Sequence, residues 1–457
     1  MKPIQVGLLG IGTVGTGTFE VLRRNQEEIR RRAGRAIEIT MVADLDTARA
    51  RRIVGSAAEV VSDARAVIAN PAIDIVIELI GGVGIARTLV LEAIAAGKHV
   101  VTANKALLAI HGTEIFAAAR AKGVVVAFEA AVAGGIPIIK ALREGLTANR
   151  IDWIVGIVNG TTNFILSEMR SKGLDFAVVL AEAQRLGYAE TDPTFDIAGI
   201  DAAHKATLMS AIAFGVPVQF AKAHVEGIAD LQAADITYAE QLGYRIKLLA
   251  ITKRRDDLVP IAAPGSAPAA SAPGGIELRV HPTLVPSARL IANVEGAMNA
   301  VMVQADAVGT TLYYGKGAGA EPTASAVIAD LVDITRLHTA DPEHRVPHLA
   351  FQPGSMQDTP ILPIDQVVTS FYLRLQVADQ AGVLARITGI LAEHDISIDA
   401  LLQRPSQHAP AEGAPRTDVI ILTHDTVEGR MSSAIAQMQA LETVLAPIIR
   451  IRKEELS

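Results

Sequence analysis

The chain has 457 residues, of which 50% are hydrophobic and 20% charged, with a formal net charge of −7 and no cysteine. Its length implies about two to four domains with ample core material. The acidic balance argues against nucleic acid or an anionic membrane as a partner, no run nears the ~18 apolar residues of a membrane helix, and disulfides and thiolate metal sites are excluded. Met1-Lys2-Pro3 leads straight into an apolar strand rather than a signal peptide, so a cytoplasmic location is expected.

The first predicted strand, Ile4–Leu9, runs into Gly10-Ile11-Gly12-Thr13-Val14-Gly15, and a helix-compatible stretch follows over Thr18–Arg32. In a Gly-x-Gly-x-x-Gly turn the first glycine makes the tight turn and the second lets a pyrophosphate approach the backbone. The third allows close helix–strand packing. The helix N-terminus then faces the phosphates with its partial positive charge. Asp44 follows the second strand, Ile37–Ala43. Strand, glycines, helix and acid together predict a dinucleotide site; a plain glycine-rich turn is the bland alternative.

Further strands read at Ile73–Leu79, Val100–Thr102 and Val124–Phe128, with helix-like stretches such as Thr88–Ala96 and Gly112–Ala121 between them. Near-continuous apolar strands alternating with helices predict an α/β fold over 1–135, a Rossmann-type doubly wound parallel sheet. Lys105, in Thr102-Ala103-Asn104-Lys105, stands at the carboxyl end of a buried strand, where open α/β sheets bind ligands. A cation at a helix start is electrostatically unfavourable, which favours a functional role over a solvated lysine. Without a thiolate, a nicotinamide enzyme cannot follow the acyl-enzyme route of aldehyde dehydrogenases. Alcohol–carbonyl interconversion needs no covalent intermediate and loses little.

The pattern changes over 136–307. Strand Ile151–Val158 enters the polar loop Asn159-Gly160-Thr161-Thr162-Asn163, and helices are predicted over Phe176–Leu186 and Ala198–Phe214. Between those helices lies the charged loop Gly187–Asp196, which carries Glu190. Asp201 and Lys205 are spaced i, i+4 and share one face of an otherwise apolar helix. A solvated pair there would be bland; a lysine on an apolar helix needs a counter-charge, so the three charges are expected to converge. Strands at Ile276–His281 and Ala300–Ala307 complete an α+β substrate and dimerisation domain. Residues 262–275 are low-complexity and expected to be a mobile surface loop.

Gly315-Lys316-Gly317-Ala318-Gly319 opens a helix over Thr323–Arg336, and residues 308–340 are expected to complete the dinucleotide domain. No His, Asp or Glu group has transition-metal spacing, and His204 reads as packed rather than ligating. After a linker, 341–368, residues 369–457 form a separate unit. Its elements are Phe371–Val377, Gly382–His394, Ile396–Gln403, Asp418–His424, Val427–Gln439 and Val444–Ile451, broken by the loop Gln407–Arg416. That βαββαβ order is a ferredoxin-like sandwich.

The segments Gly10–Gly15, Thr102–Lys105, Asn159–Asn163, Gly187–Lys205 and Tyr314–Ala326 closely resemble the homoserine dehydrogenase family, in order and over essentially the whole chain. The C-terminal unit resembles an ACT domain, with Asp379-Gln380-Ala381-Gly382-Val383-Leu384 at its first strand–helix turn. The resemblance implies reversible, NAD- or NADP-dependent interconversion of L-homoserine and L-aspartate 4-semialdehyde on the route to threonine, methionine and isoleucine. It implies Lys205 as proton donor and acceptor, Lys105 as a second active-site lysine touching substrate and cofactor, and Glu190 and Asp201 as substrate-binding carboxylates. Cofactor contacts fall on Gly10, Gly12, Thr13, Val14, Gly15, Asp44, Thr102, Lys105, Gly187 and Gly317. A sodium ion is implied at Glu129, Val132, Gly134 and Ile136, held mostly by backbone oxygens. L-Threonine is implied as effector at Asp379, Gly382, Val383 and Leu384, in a homodimer or homotetramer.

One position departs from the family. Many relatives place an arginine near Asp44, whereas a carboxylate there can bond a ribose 2′-hydroxyl and would repel a 2′-phosphate. NAD is therefore expected to be used at least as well as NADP, although Arg49, Arg51 and Arg52 follow closely. A competing enzyme reading is an ACT-bearing 2-hydroxy-acid dehydrogenase, but no late histidine motif stands out. A non-enzymatic dinucleotide sensor has no need of Lys105, Glu190, Asp201 and Lys205 together.

Overall fold

The computed structural model describes residues 2–256, 274–338, 346–405 and 415–456. The low-complexity segment apart from Gly274 and Gly275, linker residues 341–345 and loop residues 407–414 lie outside the described residues. The chain divides into two compact units, Met1–Val158 with Ala203–Ala221 and Met298–Thr359, and Asn159–Ala202 with Lys222–Ala297 and Pro360–Ser457.

The first unit is built on a parallel sheet of β1 (Ile4–Leu9), β2 (Ile37–Ala43), β3 (Glu59–Val61), β4 (Ile75–Glu78), β5 (His99–Thr102) and β6 (Val126–Ala127). Its order is β3-β2-β1-β4-β5-β6, the doubly wound arrangement whose direction reverses beside β1 and leaves a crevice at the strands' carboxyl ends. β4 and β5 are buried along their whole length, including the polar residues Glu78, His99 and Thr102 at their ends. The helix Thr13–Arg24 starts five residues earlier than its apolar pattern suggests, directly on the glycine turn. It packs against the late helix Ala320–Leu337 so closely that a Cβ on Gly17 would lie 2.6 Å from the Ala320 carbonyl oxygen. The late helix contributes Leu331 and Ile334 to the same apolar core as Val6, Leu8, Ile75 and Phe19. Strand Met298–Ala305 lies antiparallel between Ile151–Ile157 and Gly309–Lys316 in this unit.

In the second unit, strands Tyr244–Arg255 and Gly275–Pro286 pair antiparallel from Tyr244↔Pro286 to Arg255↔Gly275. The C-terminal segment has the expected βαββαβ order: Val368–Ala378, Val383–Glu393, Ile398–Pro405, Arg416–Thr423, Glu428–Gln439 and Ile449–Lys453. Its central strands are Val368–Ala378 and Arg416–Thr423, and helix residues Ile387, Leu391, Met431 and Met438 seal the core against Phe371, Leu375 and Ile421. The segment also shares a sheet with the rest of its unit. Ile449–Lys453 runs parallel to Gly275–Pro286, pairing Thr283 with Arg452 and Leu284 with Lys453, which covers what would be an open edge. Among the described residues no helix is long and apolar enough to cross a membrane.

Candidate active site

The glycine turn has the sterics its sequence demands. Gly10 sits at φ +89°, and a Cβ there would lie 2.8 Å from the Leu79 carbonyl oxygen; one on Gly15 would lie 2.3 Å from that of Gly10. A Cβ on Gly12 would meet nothing within 4 Å. The outer two glycines are thus required by the protein, while the middle one borders open space beside the first turn of the helix begun by Thr13 and Val14. That cradle fits a pyrophosphate. Asp44 is fixed beside it: its carboxylate accepts the Ile11 N–H at 2.8 Å and the Asp46 N–H at 2.9 Å. Arg49, Arg51 and Arg52 lie exposed on the Thr47–Val54 helix that follows.

Lys105 is the half-buried first residue of the Lys105–Lys122 helix, and the loop leading to it is tied down. The Thr102 hydroxyl donates to Glu78 at 2.7 Å, and Glu78 accepts the N–H groups of Ile80 and Gly81 at 2.9 and 3.1 Å. Asn104 donates its backbone N–H to Thr102 Oγ1 at 3.0 Å and its side-chain amide to the Gly82 carbonyl at 2.7 Å. Its side-chain oxygen caps the helix through Leu107 N–H at 3.0 Å. Glu78, fully buried under this network, escaped the sequence reading because it ends an ordinary apolar strand.

Gly317 lies on the side chain of Asn299: a Cβ there would fall 1.9 Å from Asn299 Nδ2. Asn299 is 1% exposed, and neither of its amide atoms has a hydrogen-bond partner among the described residues. An orphaned buried amide beside this loop is the second observation that suits a bound polar group here. A Cβ on Gly134 would fall 2.4 Å from the Gly317 carbonyl oxygen, and Gly135 N–H donates to that of Lys316 at 3.0 Å. The Val132–Ile136 turn therefore supports the late glycine loop. Ala133 and Gly134 are both left-handed, at φ +54° and +53°, which for alanine costs about 1–2 kcal/mol.

Glu129, 4% exposed, accepts the N–H groups of Ile139 and Lys140 at 2.9 and 2.8 Å, while its own N–H donates to Asp330 at 2.8 Å. Burial pushes the Glu129 carboxyl up to about 7, and burial together with the nearby Glu129 charge pushes Asp330 well above its ordinary value. Two buried acids and the nearby backbone carbonyls are hard oxygen donors, the chemistry that suits a small hard cation. Among the described residues no group of three or more His, Cys, Asp or Glu could hold a metal ion.

The helix Ile200–Phe214 carries Asp201 and Lys205 one turn apart. Lys205 is 8% exposed and donates through Nζ to the Val158 carbonyl at 2.6 Å, at the end of strand Ile151–Ile157. Asp201 is 3% exposed and accepts from Asn159 Nδ2 at 2.8 Å; the same Nδ2 donates to Asp196 at 2.7 Å. Glu190 is exposed, its backbone carbonyl held by Gln184 Nε2 at 3.1 Å, and Gly187 sits at φ +79° just past the Phe176–Arg185 helix. Asp196 and Asn159 were not singled out from sequence. His204 packs edge-on against Phe220 with ring centroids 4.3 Å apart, a packed histidine.

The Asp379–Leu384 turn is ordered and partly open. Asp379 and Gly382 are exposed, Gly382 opens the Val383–Glu393 helix at φ +88°, and Val383 is buried with Leu384 half-buried.

The homoserine dehydrogenase family model matches residues 137–332, the model of the homoserine dehydrogenase NAD binding domain matches 10–129, and that of the ACT domain matches 371–442. The homoserine dehydrogenases of Pseudomonas aeruginosa and Neisseria gonorrhoeae are 57% and 56% identical to this chain, each aligned over 100% of both sequences. The crystal structure of a homoserine dehydrogenase from Thiobacillus denitrificans superposes with a TM-score of 0.91 at 61% identity, covering 100% of this chain and 99% of that one. With the glycine cradle, the two lysines and the ACT fold in one sequence matched end to end, the chain belongs to the homoserine dehydrogenase family.

Proposed function

We propose that, in this NAD(P)-dependent oxidoreductase, Lys205 moves the proton at the substrate oxygen as L-homoserine and L-aspartate 4-semialdehyde interconvert. The observation that carries the reading is the fixed, buried amine: Nζ is held on the Val158 carbonyl at 2.6 Å, on a helix with five alanines. A carbonyl oxygen gathers negative charge as hydride arrives, and an ammonium held in place stabilises that charge and then supplies the proton. The nicotinamide, when bound, supplies or accepts the hydride. Lys105 touches substrate and cofactor from its helix start, and Glu190 and Asp201 take the amino acid's ammonium group. The Gly10–Gly15 loop with Asp44, Thr102, Gly187 and Gly317 holds the dinucleotide.

Asp44 supports NAD at least as strongly as NADP. A carboxylate fixed by two backbone N–H groups can accept from a 2′-hydroxyl and repels a 2′-phosphate. A sodium ion is held by backbone oxygens of Val132, Gly134 and Ile136 with Glu129, where it offsets two buried acids. L-Threonine binds at the Asp379–Leu384 turn of a homodimer or homotetramer and inhibits the enzyme.

The test is homoserine-dependent reduction of NAD and of NADP, in sodium and in choline buffers, with and without threonine. The expected result is a kcat/KM for NAD no lower than for NADP, a lower rate in choline, and inhibition by threonine. A roughly hundredfold preference for NADP overturns the role of Asp44. A rate indifferent to sodium removes the ion, and one indifferent to threonine removes the effector.

A further inference from the structure

Asn159 precedes the Gly160–Lys172 helix, is 5% exposed, and uses its whole amide. Nδ2 donates to Asp196 Oδ1 at 2.7 Å and to Asp201 Oδ2 at 2.8 Å. Oδ1 accepts the Thr162 N–H at 2.8 Å and the Thr162 hydroxyl at 2.9 Å. Both partners of the nitrogen are carboxylate oxygens and both partners of the oxygen are donors, so the network fixes which way the amide points. One side chain thus caps a helix and clamps two acids that lie 37 and 42 residues further along the chain.

We propose that Asn159 is a positioning residue of the reaction, setting the orientation of Asp201, and of Asp196 with it, for the cationic end of the substrate. This rests on the reading of Asp201 as a substrate-binding carboxylate. The residue type carries the argument. A guanidinium at this point would orient the two carboxylates and also neutralise them. An amide orients them through its two N–H groups and places no positive charge of its own beside them. The Thr162 bonds lock the clamp to the rigid first turn of a helix, which is the support a binding side chain needs if it is to keep a fixed aim.

The experiment separates capping from clamping. Asn159→Ser keeps a good helix cap and loses the reach to the acids; Asn159→Ala loses both functions. Clamping predicts a homoserine KM raised about tenfold in both variants, the scale of a lost hydrogen bond to a charged group, with the KM for dinucleotide unchanged. It also predicts that Asn159→Ser adds little to Asp201→Asn in the double variant, because both act through the same carboxylate. Asn159→Thr, equally able to cap and too short to reach the acids, is the second variant should the serine protein not fold. A wild-type KM in Asn159→Ser beside an impaired Asp201→Asn overturns the clamp alone. Wild-type behaviour in both overturns the role of Asp201 and the clamp with it. Additive losses, or an impaired Asn159→Ser beside a wild-type Asp201→Asn, overturn the clamp because Asn159 would then act elsewhere.

Discussion

Two groups of carboxylates in the second unit, buried or half-buried, are held by different means. Where Gly275–Pro286 meets Ile449–Lys453, every acid faces a guanidinium: Arg279 pairs with Glu277 at 2.8 Å and with Glu454, and Arg452 with Glu226 and Glu428 at 2.7 Å each. Arg450 reaches Glu226 and Glu428 from the outer side at 3.1 and 2.8 Å. Burial works to raise Glu454, yet Arg279 and Lys253 beside it hold its carboxyl down to about 2. Burial likewise opposes Glu226, and His224 and Arg452 hold it well below the usual carboxylate range. His281 lies between the two arginines, and burial followed by their charges keeps it neutral. Asp196 and Asp201 instead share the neutral amide of Asn159. The first cluster is tied by arginines and closes a sheet; the second is aimed by an amide that adds no charge of its own.

The largest effect that would break this contrast is on stability. Arg279→Met leaves Glu277 and Glu454 buried with only Arg255 and Lys253 beside them. Removing one partner of such a buried pair costs about 3–5 kcal/mol. Chemical denaturation of Arg279→Met is expected to show that loss, with Asp201→Asn within about 1 kcal/mol of wild type. Equal losses in the two variants would mean that the carboxylates of both clusters are structural.

A smaller effect sharpens the contrast through pH. Glu454 has its carboxyl depressed from the ordinary 4.5 to about 2, so its contribution to stability is complete above 4.5 and is lost as pH falls through 2. Denaturant midpoints measured across that window are expected to fall with pH in the wild type and in Asp201→Asn. The fall should be visibly shallower in Arg279→Met, where the cation that depresses Glu454 is gone. A slope unchanged by Arg279→Met would assign the acid sensitivity to other carboxylates.

How much of this was legible in sequence depended on how local the cause was. Gly10, Gly12 and Gly15 could be read because the constraint is steric and falls within six residues; the structure crowds a Cβ at Gly10 and Gly15 and leaves Gly12 open. The βαββαβ order could be read because each element alternates or repeats on its own. Strand Tyr244–Arg255 could not, since it is buried on both faces, does not alternate, and its short apolar run Leu248–Ile251 is flanked by Lys247 and Thr252. Strand Gly309–Lys316 was hidden by the glycines that end it. The sharing of a sheet between Gly275–Pro286 and Ile449–Lys453 depends on pairing across more than 160 residues, and no local pattern encodes it. Asn159 was legible only as part of a polar loop; the helix it caps, Gly160–Lys172, and its pairing with the carboxylates of Asp196 and Asp201 were not. Glu78 and Asn299 were missed for the same reason, because a buried polar side chain is distinguished only by what surrounds it.

The central claim, that the buried amine of Lys205 carries the proton, is tested most directly by the turnover of Lys205→Ala measured beside its dinucleotide Kd. The predicted result is a fall in kcat for homoserine oxidation of roughly 10²–10⁴-fold, the usual worth of a positioned acid–base group, with cofactor affinity retained. A variant that binds dinucleotide and oxidises homoserine at the wild-type rate would contradict it.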